Sequence, residues 1–196
     1  MQRYFIALFV CLALVLPPIA GAATYQLDSV HSSIQFKIRH LTVANVTGTF
    51  NNFKGSATIE GEDPATLKVE VTIEAASANT GNEKRDEHLK TPEFLDVAKY
   101  PTITFVSKKV MKGDPGKLKI NGDLTLHGAT HEITVDLEGP TPEIKDPWGN
   151  FRRGASGTAK IDRRDFGLTW NKSLDAGGLV MGNEVTIYVE VEWVRK

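Results

Sequence analysis

From Thr24 onward the chain is written in a period of two, with apolar residues at alternate positions and polar residues between them. Ile34, Phe36 and Ile38 alternate with Gln35 and Lys37, and Leu67, Val69, Val71 and Ile73 alternate with Lys68, Glu70 and Thr72. Such alternation sends one set of side chains to each face of a strand, so each run predicts a half-buried strand. Further runs fall at 102–110 with Ile103 and Phe105, at 117–126 with Leu118, Ile120, Leu124 and Leu126, and at 132–138 with Ile133, Val135 and Leu137. The clearest is the last, where Val185, Ile187, Val189, Val191 and Trp193 are interleaved with Glu184, Thr186, Tyr188, Glu190 and Glu192. Weaker runs at 46–61 and 154–162 bring the expected total to eight strands, and Gly154 and Gly157 suggest a bulge or sharp bend in the second of these. Short turn sequences such as Gly61-Glu62-Asp63-Pro64, Gly113-Asp114-Pro115-Gly116 and His127-Gly128 separate the runs, which implies antiparallel neighbours.

The alternation stops between Ser77 and Tyr100. Thr80 with Glu83 matches a capping box ahead of a helix over 83–90, and Thr91 followed by Pro92 offers a second helix start with Phe94, Leu95 and Val97 as its apolar face. A short helical insertion near residues 82–98 is therefore expected on an all-β, eight-stranded antiparallel sheet. One apolar face per strand must be hidden, by packing two sheets together or by closing the sheet into a barrel. A barrel of eight strands is either just filled by its own side chains or roomy enough for one small ligand, and function turns on which.

The first residues behave differently. Arg3 precedes an unbroken apolar run from Tyr4 to Leu16, then Pro17-Pro18 and Ala20-Gly21-Ala22. The run is too short for a membrane helix, which needs about 20 residues, and it reads as a secretory signal, 1–22, cut after Ala22. The domain is then 23–196, periplasmic or secreted, with no transmembrane segment after cleavage. The single cysteine, Cys11, leaves with the leader, so the exported domain has no disulfide to form. Over all 196 residues, 23 Lys+Arg oppose 24 Asp+Glu for a formal net charge of -1, which gives no electrostatic support for a nucleic-acid partner.

No nucleophile elbow, phosphate-binding loop, zinc-protease helix or cysteine pair is present. His127 and His131 are four apart but flank a hairpin, where polar turn residues are the ordinary reading; no metal site is expected. Arg85-Asp86-Glu87-His88-Leu89 concentrates charge on a short helix and reads first as a local salt-bridge network. Its catalytic alternative is acid-base chemistry by His88 with Asp86, or by His31 with Asp28. Trp148 sits in a turn, Asp146-Pro147-Trp148-Gly149-Asn150, at a rim or in solvent.

In order along the chain come Asp28-Ser29-Val30-His31-Ser32 with Phe36 and His40, Val46-Thr47-Gly48-Thr49-Phe50, Arg85-Asp86-Glu87-His88-Leu89 with Pro92-Glu93-Phe94-Leu95-Asp96, and Tyr100-Pro101-Thr102-Ile103-Thr104-Phe105. Gly122-Asp123-Leu124-Thr125-Leu126-His127-Gly128-Ala129-Thr130 and Arg164-Asp165-Phe166-Gly167 follow. Together these segments resemble the YceI-like periplasmic proteins of bacteria across nearly the whole mature chain. The resemblance implies a lipocalin-like barrel whose elongated apolar cavity holds an isoprenoid chain, polyprenyl or quinone-like, as a bound ligand without any further cofactor. It implies a binding protein rather than an enzyme. Strand parity then nominates as lining Phe36, Ile38, Phe50, Val71, Ile73, Phe94, Ile103, Phe105, Leu124, Leu126, Ile133, Val135, Phe166, Val185, Ile187 and Val189. The expected partner is an amphiphilic lipid, with a homodimer left open; the competing reading is a barrel with a packed core that acts as an interaction or stress-response module.

Overall fold

The computed structural model describes residues 21–175 and 177–196. The expected leader up to residue 20, Cys11 included, lies outside the described residues. The expected cut after Ala22 falls on an exposed residue at the start of the first strand.

The strands are β1 (Ala22–Leu27), β2 (Ser33–His40), β3 (Ala44–Phe50), β4 (Phe53–Glu60), β5 (Lys68–Glu74), β6 (Ala78–Asn79), β7 (Thr102–Lys112), β8 (Lys117–Leu126), β9 (Ala129–Glu138), β10 (Ile144–Lys145), β11 (Phe151–Asp162) and β12 (Met181–Arg195). The helix α1 is Glu83–Lys90, between β6 and β7. Every pairing between named strands is antiparallel, and the β11–β12 ladder closes the sheet into a barrel. Eight positions make the wall. β1 and β2 lie end to end along the same edge of β12, at residues 193–195 and 181–190 respectively, and so share one position. β3 and β4 share the next, because β3 pairs with β2 and β4 with β1. β5, β7, β8, β9, β11 and β12 complete the ring.

The sequence pattern and this wall differ in three places. The run 46–61 is two strands with a break at Asn51-Asn52, where the chain turns its hydrogen bonds to Ser77 and Glu74 instead of to a ladder. The bulge expected at Gly154 or Gly157 is absent, since β11 keeps continuous register with β12 from Arg152 to Asp162. Gly157 instead permits close approach: a Cβ there would stand 2.8 Å from Cγ2 of Val189 and 3.1 Å from Cγ1 of Val135. The register shifts fall in β7, between Ser107 and Lys109, and in β12, between Met181 and Val185.

The helical insertion also forms differently from expectation. Asn82, not Thr80, caps α1 by accepting the backbone N–H of Arg85. Thr80 is held by the helix instead: its backbone N–H (2.8 Å) and hydroxyl both donate to Oδ1 of Asp86, while Arg85 donates to its hydroxyl and carbonyl oxygens. The second helix does not form. Residues 91–99 make a chain of turns in which Thr91 O accepts from the N–H of both Phe94 and Asp96, and Asp96 takes a φ of 45°. α1 has a single apolar side chain, Leu89, so the charged network anchors it to β6 where an apolar stripe would normally do so.

Two apolar clusters fill the ends of the barrel. One gathers Tyr25, Ile59, Leu67, Leu118 and Trp193, the other Ile34, Ile73, Leu95, Leu126 and Phe166. The first is sealed by polar groups: the Tyr25 hydroxyl donates to Oε2 of Glu143 at 2.6 Å and accepts from Nε of the buried Arg153, whose Nη2 reaches both oxygens of Glu62 at 2.6 Å.

Candidate functional site

Between these two clusters the barrel is hollow. The cavity measures about 240 Å³ and its wall is apolar almost throughout, so the interior is not filled by its own side chains. Every second residue of β12 from Val185 to Trp193 faces it, as do Val69, Val71 and Ile73 of β5, Ile103 and Phe105 of β7, and Ile133, Val135 and Leu137 of β9. Leu89 of α1, with Phe94 and Leu95 of the turns behind it, covers one side. Phe94 is fixed there by an aromatic cluster, 4.8 Å from the His88 ring and 5.0 Å from the Trp170 ring. Phe36 tilts against Phe50 with ring centroids 5.5 Å apart.

The structure brings all the nominated side chains to this wall except Phe166. Phe166 lies in the 3₁₀ turn Arg163–Phe166 after β11, where strand parity no longer applies. Its ring stacks edge-on against His131 at 5.1 Å, and its carbonyl faces Nδ1 of His127 at 3.1 Å, so it packs the barrel end and is not a lining residue. Parity also reaches residues left off that set. Val69, Ile120, Leu137, Val191 and Trp193 continue the same alternation and line the cavity. Gly157, Ala159 and Ile161 of β11 do so as well, though the small residues hide their phase. One charged residue in the wall, Arg163, carried no signal in the pattern, since a charged residue just past a strand reads as solvent-facing.

The titratable clusters lie elsewhere. Arg152 stands at the centre of one, with Nε 2.6 Å from Asp146, Nη1 2.9 Å from Asp28, and Nη1 also on Glu192. Asp28 accepts from His31 Nδ1 at 2.9 Å; this bond, then that of Arg152, holds its carboxyl down at about 2, while His31 is pushed up from its ordinary value by the same contact. Burial pushes Asp146 up, but bonds from Arg152 and Asn150 outweigh it and leave the group well below the usual carboxylate range. Asp28, His31 and Glu192 offer ligand atoms within 4.8 Å of one another, yet the Arg152 guanidinium already supplies the cation there. On α1, His88 meets Glu93 at 2.5 Å and Asp86 is taken by Thr80, so His88 and Asp86 do not pair. His127 and His131 turn to the backbone and the ring of Phe166 respectively. Trp148 is 82% exposed.

Residues 25–193, nearly all of the described barrel, match the YceI-like domain family. The chain belongs to the YceI-like family. A UPF0312 protein of Vibrio vulnificus strain YJ016 is 38% identical to this YceI-like chain over 200 residues, covering 100% of both. The solved YCEI protein of Campylobacter jejuni superposes with a TM-score of 0.67 at 35% identity, over 82% of this chain and 91% of that one. A polyisoprenoid binding domain from Saccharophagus degradans, implicated in plant cell wall breakdown, shares the fold with a TM-score of 0.63 at 17% identity, over 88% of this chain and 98% of that one. The YceI-like fold thus comes with a closed antiparallel barrel, and in this member the barrel surrounds an apolar hollow.

Proposed function

We propose that this YceI-like protein is a non-catalytic carrier or sequestering protein for an isoprenoid-type lipid, polyprenyl or quinone-like, and that it works in the periplasm or after secretion. The observation that supports this most is the apolar hollow itself, walled by aliphatic and aromatic side chains from eight wall positions. An empty apolar cavity forfeits dispersion contacts on every lining atom, and an apolar guest restores them. A prenyl chain that hides about 400 Å² of surface gains on the order of 10 kcal/mol at ~25 cal/mol per Å², before the costs of ordering it. The polyisoprenoid binding domain of Saccharophagus degradans has the same fold, which makes a prenyl chain the first guest to test. Export rests on the apolar leader and its small-residue cleavage site.

The test is native mass spectrometry of protein purified without detergent from a bacterial host, followed by solvent extraction and identification of what is released. The expected result is a reproducible adduct whose extracted mass matches a prenyl lipid. Bare polypeptide mass, both as purified and after incubation with farnesol, would overturn the carrier reading.

A further inference from the structure

Arg163 is a cation on the wall of an otherwise apolar hollow. It is 3% exposed, lines the cavity, and sits between the segments that carry Leu168 and Met181. Its Nε donates to the carbonyl of Gly182 at 2.9 Å and its Nη1 to the carbonyl of Leu168. A guanidinium has five N–H donors, so these two bonds leave part of the fork unspent. The neighbouring arginines are matched with acids: Arg152 with Asp28, Asp146 and Glu192, Arg153 with Glu62, and Arg164 with Asp162. Arg163 has no ion pair among the described residues. Asp162, the acid beside it in sequence, is forked by Nε and Nη2 of Arg164. Burial accordingly pulls the Arg163 guanidinium below its ordinary range, against the weaker attraction of Asp162.

A buried charge without a counter-ion is costly unless something supplies one. Two backbone carbonyls satisfy donors but do not neutralise charge. We propose that Arg163 is the head-group site of the cavity and receives an anionic oxygen, a phosphate or a carboxylate, at the end of the lipid whose tail fills the apolar hollow. The inference rests on the carrier reading and deepens it from a chain-binding tunnel to a site for an acidic amphiphile. The planar fork suits the bidentate geometry of phosphate or carboxylate, and a lysine would offer only a point charge. The guest is thereby oriented, with its head on Arg163 and its tail along the strands.

The experiment compares two ligands with one tail, farnesyl monophosphate and farnesol, and a third, palmitate, by titration calorimetry on the wild-type protein, Arg163→Met and Arg163→Lys. Loss of a charge-assisted bond should weaken farnesyl phosphate by about tenfold or more in Arg163→Met, with partial recovery in Arg163→Lys and less than about a twofold change for farnesol. Palmitate following farnesyl phosphate would extend the site to carboxylates; palmitate alone showing the effect would assign it to carboxylates over phosphates. Equal losses for farnesol and the two anions, or no loss for any, would overturn the assignment while leaving the carrier reading intact. Failure of farnesol and both anions to bind the wild-type protein would instead remove the carrier reading, and this inference with it. A variant-free arm guards against misfolding of Arg163→Met: phosphorus NMR of farnesyl phosphate bound to the wild-type protein. A phosphate held on Arg163 should titrate below its free value, which lies near 6 for phosphate monoesters. Titration at or above the free value would place the head away from the cation and overturn the assignment.

Discussion

At the scale of single residues the wall of the cavity makes a sharp demand, because a charge added among aliphatic and aromatic side chains loses most of its hydration. Phe105→Asp and Val135→Asp each place a carboxylate against the hollow. Both are expected to cut retained lipid by about tenfold or more in protein that still melts cooperatively, measured by extraction and mass spectrometry beside a circular-dichroism melt. These two positions were legible from alternation alone. Phe166 was not, because the chain leaves the strand at Asp162 and a 3₁₀ turn resets which way side chains point. Arg163 was not legible either, since nothing in a linear pattern separates a buried arginine from the solvent-facing Arg164 beside it. At the rim of the fold, Asp28 has its carboxyl lowered from 3.8 to about 2 by His31 and Arg152. A lowered acid contributes stability above its unfolded value and loses it as pH falls through the folded one. The wild-type protein is therefore expected to lose more stability than Asp28→Asn between about pH 4 and pH 2, by urea titration at each pH. His31, raised by the same bond, contributes in the opposite sense, with its share present at acidic pH and lost as pH rises past its elevated folded value.

At the scale of elements, two connections set the geometry around the site. The β8–β9 hairpin turns on His127 and Gly128, with φ of 51° and 77°, a pair of left-handed residues that matches the twist of the flanking strands. A Cβ on Gly128 would stand 2.4 Å from Cε1 of Tyr100, so Gly128→Ala meets both backbone strain and a ring. It is expected to cost about 2 kcal/mol, read as a lowered urea midpoint at unchanged slope. The helix α1 covers the residues that the capping-box reading gave it, 83–90, but its cap is a different residue and its companion helix does not form. Thr80 and Glu83 fit a capping box in sequence, while in space Asp86 and Arg85 close around Thr80 and leave Asn82 as the cap. Asp86→Ala removes the acceptor for both Thr80 donors. It is expected to loosen α1 and the Leu89–Leu95 cover, visible as faster amide exchange over 83–95 with the strand core unchanged.

At the scale of the whole molecule, antiparallel ladders join the eight wall positions into a barrel, with only three residue pairs between β9 and β11, and β3 meets only the short β6 in the region that carries α1 and the turns that cover the hollow. The hollow is a property of all the walls at once. Ala159→Phe adds a ring to it from β11, opposite Ile187. On the carrier reading the variant is expected to keep its fold and lose the lipid adduct that the wild-type protein is expected to carry in native mass spectrometry, whereas the same adduct at wild-type occupancy would show that the guest lies elsewhere. What the sequence determined by itself was the class of fold, the strand periods and most of the wall, because a side chain's face on a strand depends only on the parity of its position. What the tertiary structure decided was how many strands share one wall position, whether the interior is hollow or solid, and which arginine is buried with no ion pair among the described residues. Those follow from distances between residues far apart in the chain, in which volume and charge are summed over neighbours that no local pattern specifies.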